Sequence, residues 1–127
     1  MTTMPIIAGR ALRLSLFLAG CLSAAGAFAH AHLQQQLPAA GAVVAASPQA
    51  LTLNFSEGIE TQFSGVTLTG PQQKTITLGK PVRSDSNKAE LTVPVEQALT
   101  PGEYTVDWHV VSVDGHKTKG QYTFTVK

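Results

Sequence analysis

Trp108-His109-Val110-Val111-Ser112-Val113-Asp114-Gly115-His116 decides how this chain is read. Just upstream, Tyr104, Val106, Trp108 and Val110 alternate with Thr105, Asp107, His109 and Val111, the two-residue period of a strand with one face buried. Tyr104 and Trp108 therefore belong to the core side, and His109 faces away from it. Asp114-Gly115 marks a reversal, because glycine tolerates the backbone angles that a tight turn demands. Asp114 and His116 stand two apart, so in extended or turn geometry both side chains can project to one side.

Outward from this stretch the pattern repeats. Leu51, Leu53 and Phe55 alternate with Thr52, Asn54 and Ser56, and Glu57-Gly58 ends that strand. Further strands are expected over 63–69, 75–78 and 91–95, with a polar loop over 83–88, and Pro94 points to an edge position. At the C-terminus Tyr122, Phe124 and Val126 alternate with Thr123, Thr125 and Lys127. Leu99-Thr100-Pro101-Gly102-Glu103-Tyr104 has the spacing of a tyrosine corner, where a Tyr hydroxyl bonds back to nearby backbone. Short strands divided by Gly and Pro, with no helical period after residue 30, predict an all-β fold. The expected form is an antiparallel β-sandwich of about seven strands.

The other end reads as an export signal. Arg10 and Arg13 precede an apolar run from Leu14 to Leu22, and a small-residue tail closes on Ala27-Phe28-Ala29. This is the order of a secretory signal peptide over residues 1–29, too short in its apolar part to span a bilayer. Leu18-Ala19-Gly20-Cys21 also resembles a lipobox, which would lipidate Cys21 and tether the domain. The later cleavage site is preferred, because the segment beyond Cys21 stays apolar and small. Cleavage after Ala29 leaves residues 30–127, enough for one small core, without a thiol. The nine basic residues fall to seven against eight acids, and a near-neutral surface argues against nucleic acid or anionic membrane as partner.

Processing would also make a histidine the first residue. A terminal His30 offers an α-amine and an imidazole nitrogen, which can close a chelate ring on one metal ion. With the His116 imidazole and the Asp114 carboxylate, the set is three nitrogens and one oxygen, which suits Cu(II) in tetragonal coordination. Soft Cu(I) finds no thiolate and no methionine, since no Met follows Met4. His32, third in the processed chain, competes through the amine, two ionised amides and its own imidazole. Glu57 is a weaker oxygen donor. Taken singly, Asp114 could simply cap its turn and His116 be a solvated loop residue; the combination with His30 points to a site. The amine and imidazoles must lose protons to bind, so affinity should fall as pH drops through about 6–8.

His30-Ala31-His32-Leu33, Pro38-Ala39-Ala40-Gly41, Leu53-Asn54-Phe55-Ser56-Glu57, Gln62-Phe63-Ser64-Gly65, Pro101 to Trp108 and Ser112-Val113-Asp114-Gly115-His116 together resemble the CopC family of copper-binding proteins. The resemblance is closest to its stand-alone, YobA-type members and covers residues 30–127. It implies a periplasmic protein that binds Cu(II) through His30, Asp114 and His116; one ion per chain and a monomer are expected. It also implies a Greek-key β-sandwich described as cupredoxin-like or immunoglobulin-like. Implied roles are binding, buffering or delivery of copper, with a CopD-like inner-membrane protein as recipient. The chain departs from the two-site members, whose mid-chain loop is rich in Met, because Pro71 to Leu78 has none.

Two other classes compete with a binding module. Copper monooxygenases also use an N-terminal His on a β-sandwich, but a processed chain this short leaves little for a flat aromatic substrate platform, so no enzyme is expected. A metal-free immunoglobulin-like interaction domain would leave the three candidate ligands without a purpose.

Overall fold

Inside and outside alternate along each long strand of the computed structural model, which describes residues 31–127. Among these residues there are nine strands: β1 Leu33–Leu37, β2 Val43–Val44, β3 Ala50–Phe55, β4 Gly65–Thr69, β5 Thr75–Ile76, β6 Val82–Arg83, β7 Glu90–Pro94, β8 Gly102–Val111 and β9 Lys117–Val126. Two 3-10 turns, Thr61–Phe63 and Pro71–Gln73, complete the regular structure. One sheet has the order β1-β3-β7-β6, the other β2-β9-β8-β4-β5. All pairings are antiparallel except β2 with β9.

The all-β sandwich is therefore as expected, and the differences are local. Nine strands replace about seven, because two-residue strands form at Val43–Val44 and at Val82–Arg83, the latter overlapping the expected 83–88 loop. The strand expected from Phe63 begins at Gly65, since Phe63 closes a 3-10 turn. Over 75–78 only Thr75–Ile76 is a strand, while Leu78 makes a lone bridge to Val95. Pro94 does not mark an edge strand: β7 lies between β3 and β6. It is tolerated because β6 pairs only with Leu91 and Thr92, so the missing N–H falls beyond that short ladder.

Burial follows the two-residue period. Leu51, Leu53 and Phe55 of β3 and Leu91 and Val93 of β7 face Tyr104, Val106, Trp108 and Val110 of β8 and Tyr122, Phe124 and Val126 of β9. Phe55 meets Trp108 edge-on across the sandwich, ring centroids 5.1 Å apart, and Tyr104 stacks on Phe124 at 5.6 Å. Such pairs add about 0.5–1.5 kcal/mol beyond their buried area. Gly120 lies opposite Trp108 in the β8–β9 ladder. A Cβ there would stand 2.5 Å from the indole, so only glycine lets the ring lie flat across β9.

The tyrosine corner forms as its spacing suggests, with the Tyr104 hydroxyl donating to the Thr100 carbonyl at 2.7 Å. The Tyr122 hydroxyl is instead buried with no hydrogen-bond partner, and burial pushes its pKa up to about 12.

Candidate metal centre

The hairpin between β8 and β9 builds the site. The ladder runs to Val111 opposite Lys117, leaving Ser112 to His116 as a five-residue connection. The Ser112 amide donates to the His116 carbonyl at 2.9 Å, and the Gly115 amide to the Ser112 carbonyl at 2.9 Å. Gly115 has φ +88°, a left-handed conformation that glycine adopts without steric cost. A third bond, from the Val113 amide to the Gly58 carbonyl at 2.9 Å, anchors the turn to the segment after β3.

Within that frame Asp114 and His116 come together as their spacing suggests. His116 Nδ1 lies 3.1 Å from Asp114 Oδ1, with both side chains close to half exposed. The same Oδ1 accepts from the His116 amide at 3.3 Å and from the Ser112 hydroxyl. The Ser112 hydroxyl first, and the His116 imidazole second, pull the Asp114 carboxyl down to about 2. At 3.1 Å the imidazole and carboxylate are hydrogen-bonded, and a cation held by both would take the place of the imidazole proton, since donors bonded at about 2.0–2.1 Å stand about 2.9 Å apart.

The remaining candidates are distributed as follows. His30 lies outside the described residues, as do Cys21, the cleavage site after Ala29 and the whole 1–29 segment. The residue after His30 is described: Ala31 is fully buried, and its carbonyl accepts from Thr118 Oγ1 at 2.9 Å. Thr118 is two residues beyond His116, so the first described residue is tied beside the hairpin. His32 is exposed on its side chain but fixed in its backbone. Its amide donates to Ser56 Oγ at 2.8 Å, and its carbonyl accepts from the Ser56 amide at 2.8 Å. Glu57 is half-buried at the bend after β3. Among the described residues, no third His, Cys, Asp or Glu side chain joins Asp114 and His116 in a group able to hold a metal. His109 faces outward as expected, its imidazole lying over Gly65.

Three hydroxyl residues that position these groups were not singled out from sequence: Ser112, Ser56 and Thr118. Only Ser112 carries a local signal, since a serine two residues before an aspartate at a turn is placed to bond it.

The same domain occurs in known proteins. The CopC domain family matches residues 33–127. Protein YobA of Escherichia coli strain K12 is 56% identical over 119 residues, covering 93% of this chain and 96% of the relative. Copper resistance protein C of Pseudomonas syringae pv. tomato is 37% identical over 118 residues, 89% of this chain and 93% of its own. Among solved structures, CopC from Methylosinus trichosporium OB3b superposes with a TM-score of 0.72 at 32% identity, covering 77% of this chain and 94% of that one. PcoC, a methionine-rich copper resistance protein from Escherichia coli, gives 0.69 at 36%, covering 78% and 100%. With the family matched over the entire sandwich and relatives above 30% identity along nearly their full length, this chain belongs to the CopC family.

Proposed function

We propose that this protein is exported to the periplasm, processed after Ala29, and binds one Cu(II) ion through the His30 amine and imidazole, Asp114 and His116. The reading makes it a monomeric carrier or buffer for copper homeostasis, with no catalytic role, able to pass the ion to a CopD-like membrane protein. The observation that carries it is the Asp114–His116 pair, held 3.1 Å apart in a hairpin beside which Ala31 is tied. Its relatives' names support the metal: two of those compared are copper resistance proteins. The donor chemistry supports the oxidation state, since imidazole, amine and carboxylate suit Cu(II) and no Met follows Met4.

The His32 mode is disfavoured. It needs the His32 amide ionised, yet that N–H is engaged by Ser56 in the extension of β1 towards β3. Copper bound that way would have to break that hydrogen bond.

The test is Cu(II) titration of protein beginning at His30, read by calorimetry and by EPR. One equivalent should bind, and replacing both Asp114 and His116 by alanine should weaken binding at least tenfold and change the copper hyperfine pattern. An unchanged spectrum in the double variant would refute the reading.

A further inference from the structure

Among the described residues, Ser112 is the one buried polar residue besides the core tyrosines, at 0% exposure. Its amide already bonds the His116 carbonyl, so the turn closes without the side chain. The hydroxyl nevertheless sits at the centre of the two candidate ligands. It donates to Asp114 Oδ1, lies 3.3 Å from the His116 carbonyl, and accepts from the His116 amide at 3.3 Å. One buried oxygen thus touches both the carboxylate of Asp114 and the backbone of His116. Ser112 itself is locked from behind, paired with Ile59 in a lone bridge and hydrogen-bonded through its backbone to the His116 carbonyl and the Gly115 amide.

We propose that Ser112 is the positioning residue of the copper site: its buried hydroxyl fixes the Asp114 carboxylate against His116 before the metal arrives. The inference rests on the copper reading above. An exposed aspartate has several rotamers open to it, and each binding event must otherwise freeze one. A bond from a buried, immobile donor sets that choice in advance, and groups that orient metal ligands in this way typically matter about 10–100-fold in affinity.

The experiment is a cycle of Cu(II) affinities on processed protein, using Ser112→Ala, Asp114→Ala and the double variant, with EPR on each. Ser112→Ala should weaken binding by about tenfold or more. If it acts through Asp114, the same change should cost under about twofold once Asp114 is alanine, because coupled residues are not additive. Ser112→Thr, which keeps the hydroxyl, should retain the affinity and the copper spectrum of the unaltered protein. The proposal is overturned if Ser112→Ala binds normally while Asp114→Ala does not, or if the two losses multiply. Should Ser112→Ala fail to fold, the threonine variant decides alone: a tenfold weakening there refutes the positioning role. If Asp114→Ala itself binds normally, the copper reading falls together with this inference, an outcome distinct from the others.

Discussion

Two tyrosines of the same core make opposite use of their hydroxyls. Tyr104 donates to the Thr100 carbonyl at 2.7 Å, whereas Tyr122 buries its oxygen without a partner. A satisfied hydrogen bond contributes about 0.5–1.5 kcal/mol net, while a buried unsatisfied polar atom costs about 1–3 kcal/mol. Tyr104→Phe should therefore lower stability by about 1 kcal/mol, and Tyr122→Phe should raise it, both measured by urea unfolding. The pH dependence separates them further. Burial raises the Tyr122 pKa from 10.0 to about 12. Its neutral form is thus favoured by folding, and that contribution is complete below pH 10 and lost as pH rises towards 12. Tyr122→Phe should lack this alkaline component of unfolding. The carboxyl of Asp114 behaves in the contrary sense. Lowered from 3.8 to about 2, it remains ionised from neutral pH down through the range where imidazoles and amines gain protons.

At the scale of elements, the link that matters is between β9 and the segment leading into β1. The Thr118 hydroxyl bonds the Ala31 carbonyl across 87 positions of sequence and joins the two sheets. Thr118→Val keeps the β-branched shape that strands favour and removes only that bond. The expected outcome is faster amide exchange over Ala31 to Leu33 and weaker Cu(II) binding, with Thr118→Ser restoring both; hydrogen-exchange mass spectrometry and calorimetry would check it. This bond also shows where sequence reading stops. Asp114 and His116 are neighbours in the chain, and one turn decides their geometry, so their meeting was legible. Tyr104 and Thr100 are four apart, and their bond was legible for the same reason. Nothing local to Thr118 names Ala31 as its partner. Likewise β3, β7 and β8 carry enough alternating residues to declare a strand, but Val43–Val44 is two residues beside β9 and exists only because β9 is there. Val82–Arg83 borrows its strand character from β7 in the same way.

For the whole molecule, copper on the proposed ligands would tie the start of one sheet to the hairpin of the other. A ligand that binds only the folded form stabilises it by about 2.7 kcal/mol at a hundredfold excess over Kd. For a domain this size that corresponds to roughly 10 °C or more in Tm. Calorimetric scans should show such a rise for protein beginning at His30. They should show a clearly smaller one when a single extra glycine precedes that histidine, because the amine is then displaced. An equal rise in both would place the ion elsewhere.

The margins of the sandwich carry a separate consequence. Substantial rows of backbone groups unpaired by any strand run along the outer side of β9 from Lys117 to Tyr122, where the two-residue β2 reaches only Thr125 and Val126, and along the five-residue β1. Pro38 caps the β1 row at one end. Strand-by-strand stacking of copies into fibrils needs long open rims on which the next chain can template. The open side of β9 is such a rim, and the exposed Lys117 and Lys119 along it are the charges that oppose the addition of a second chain.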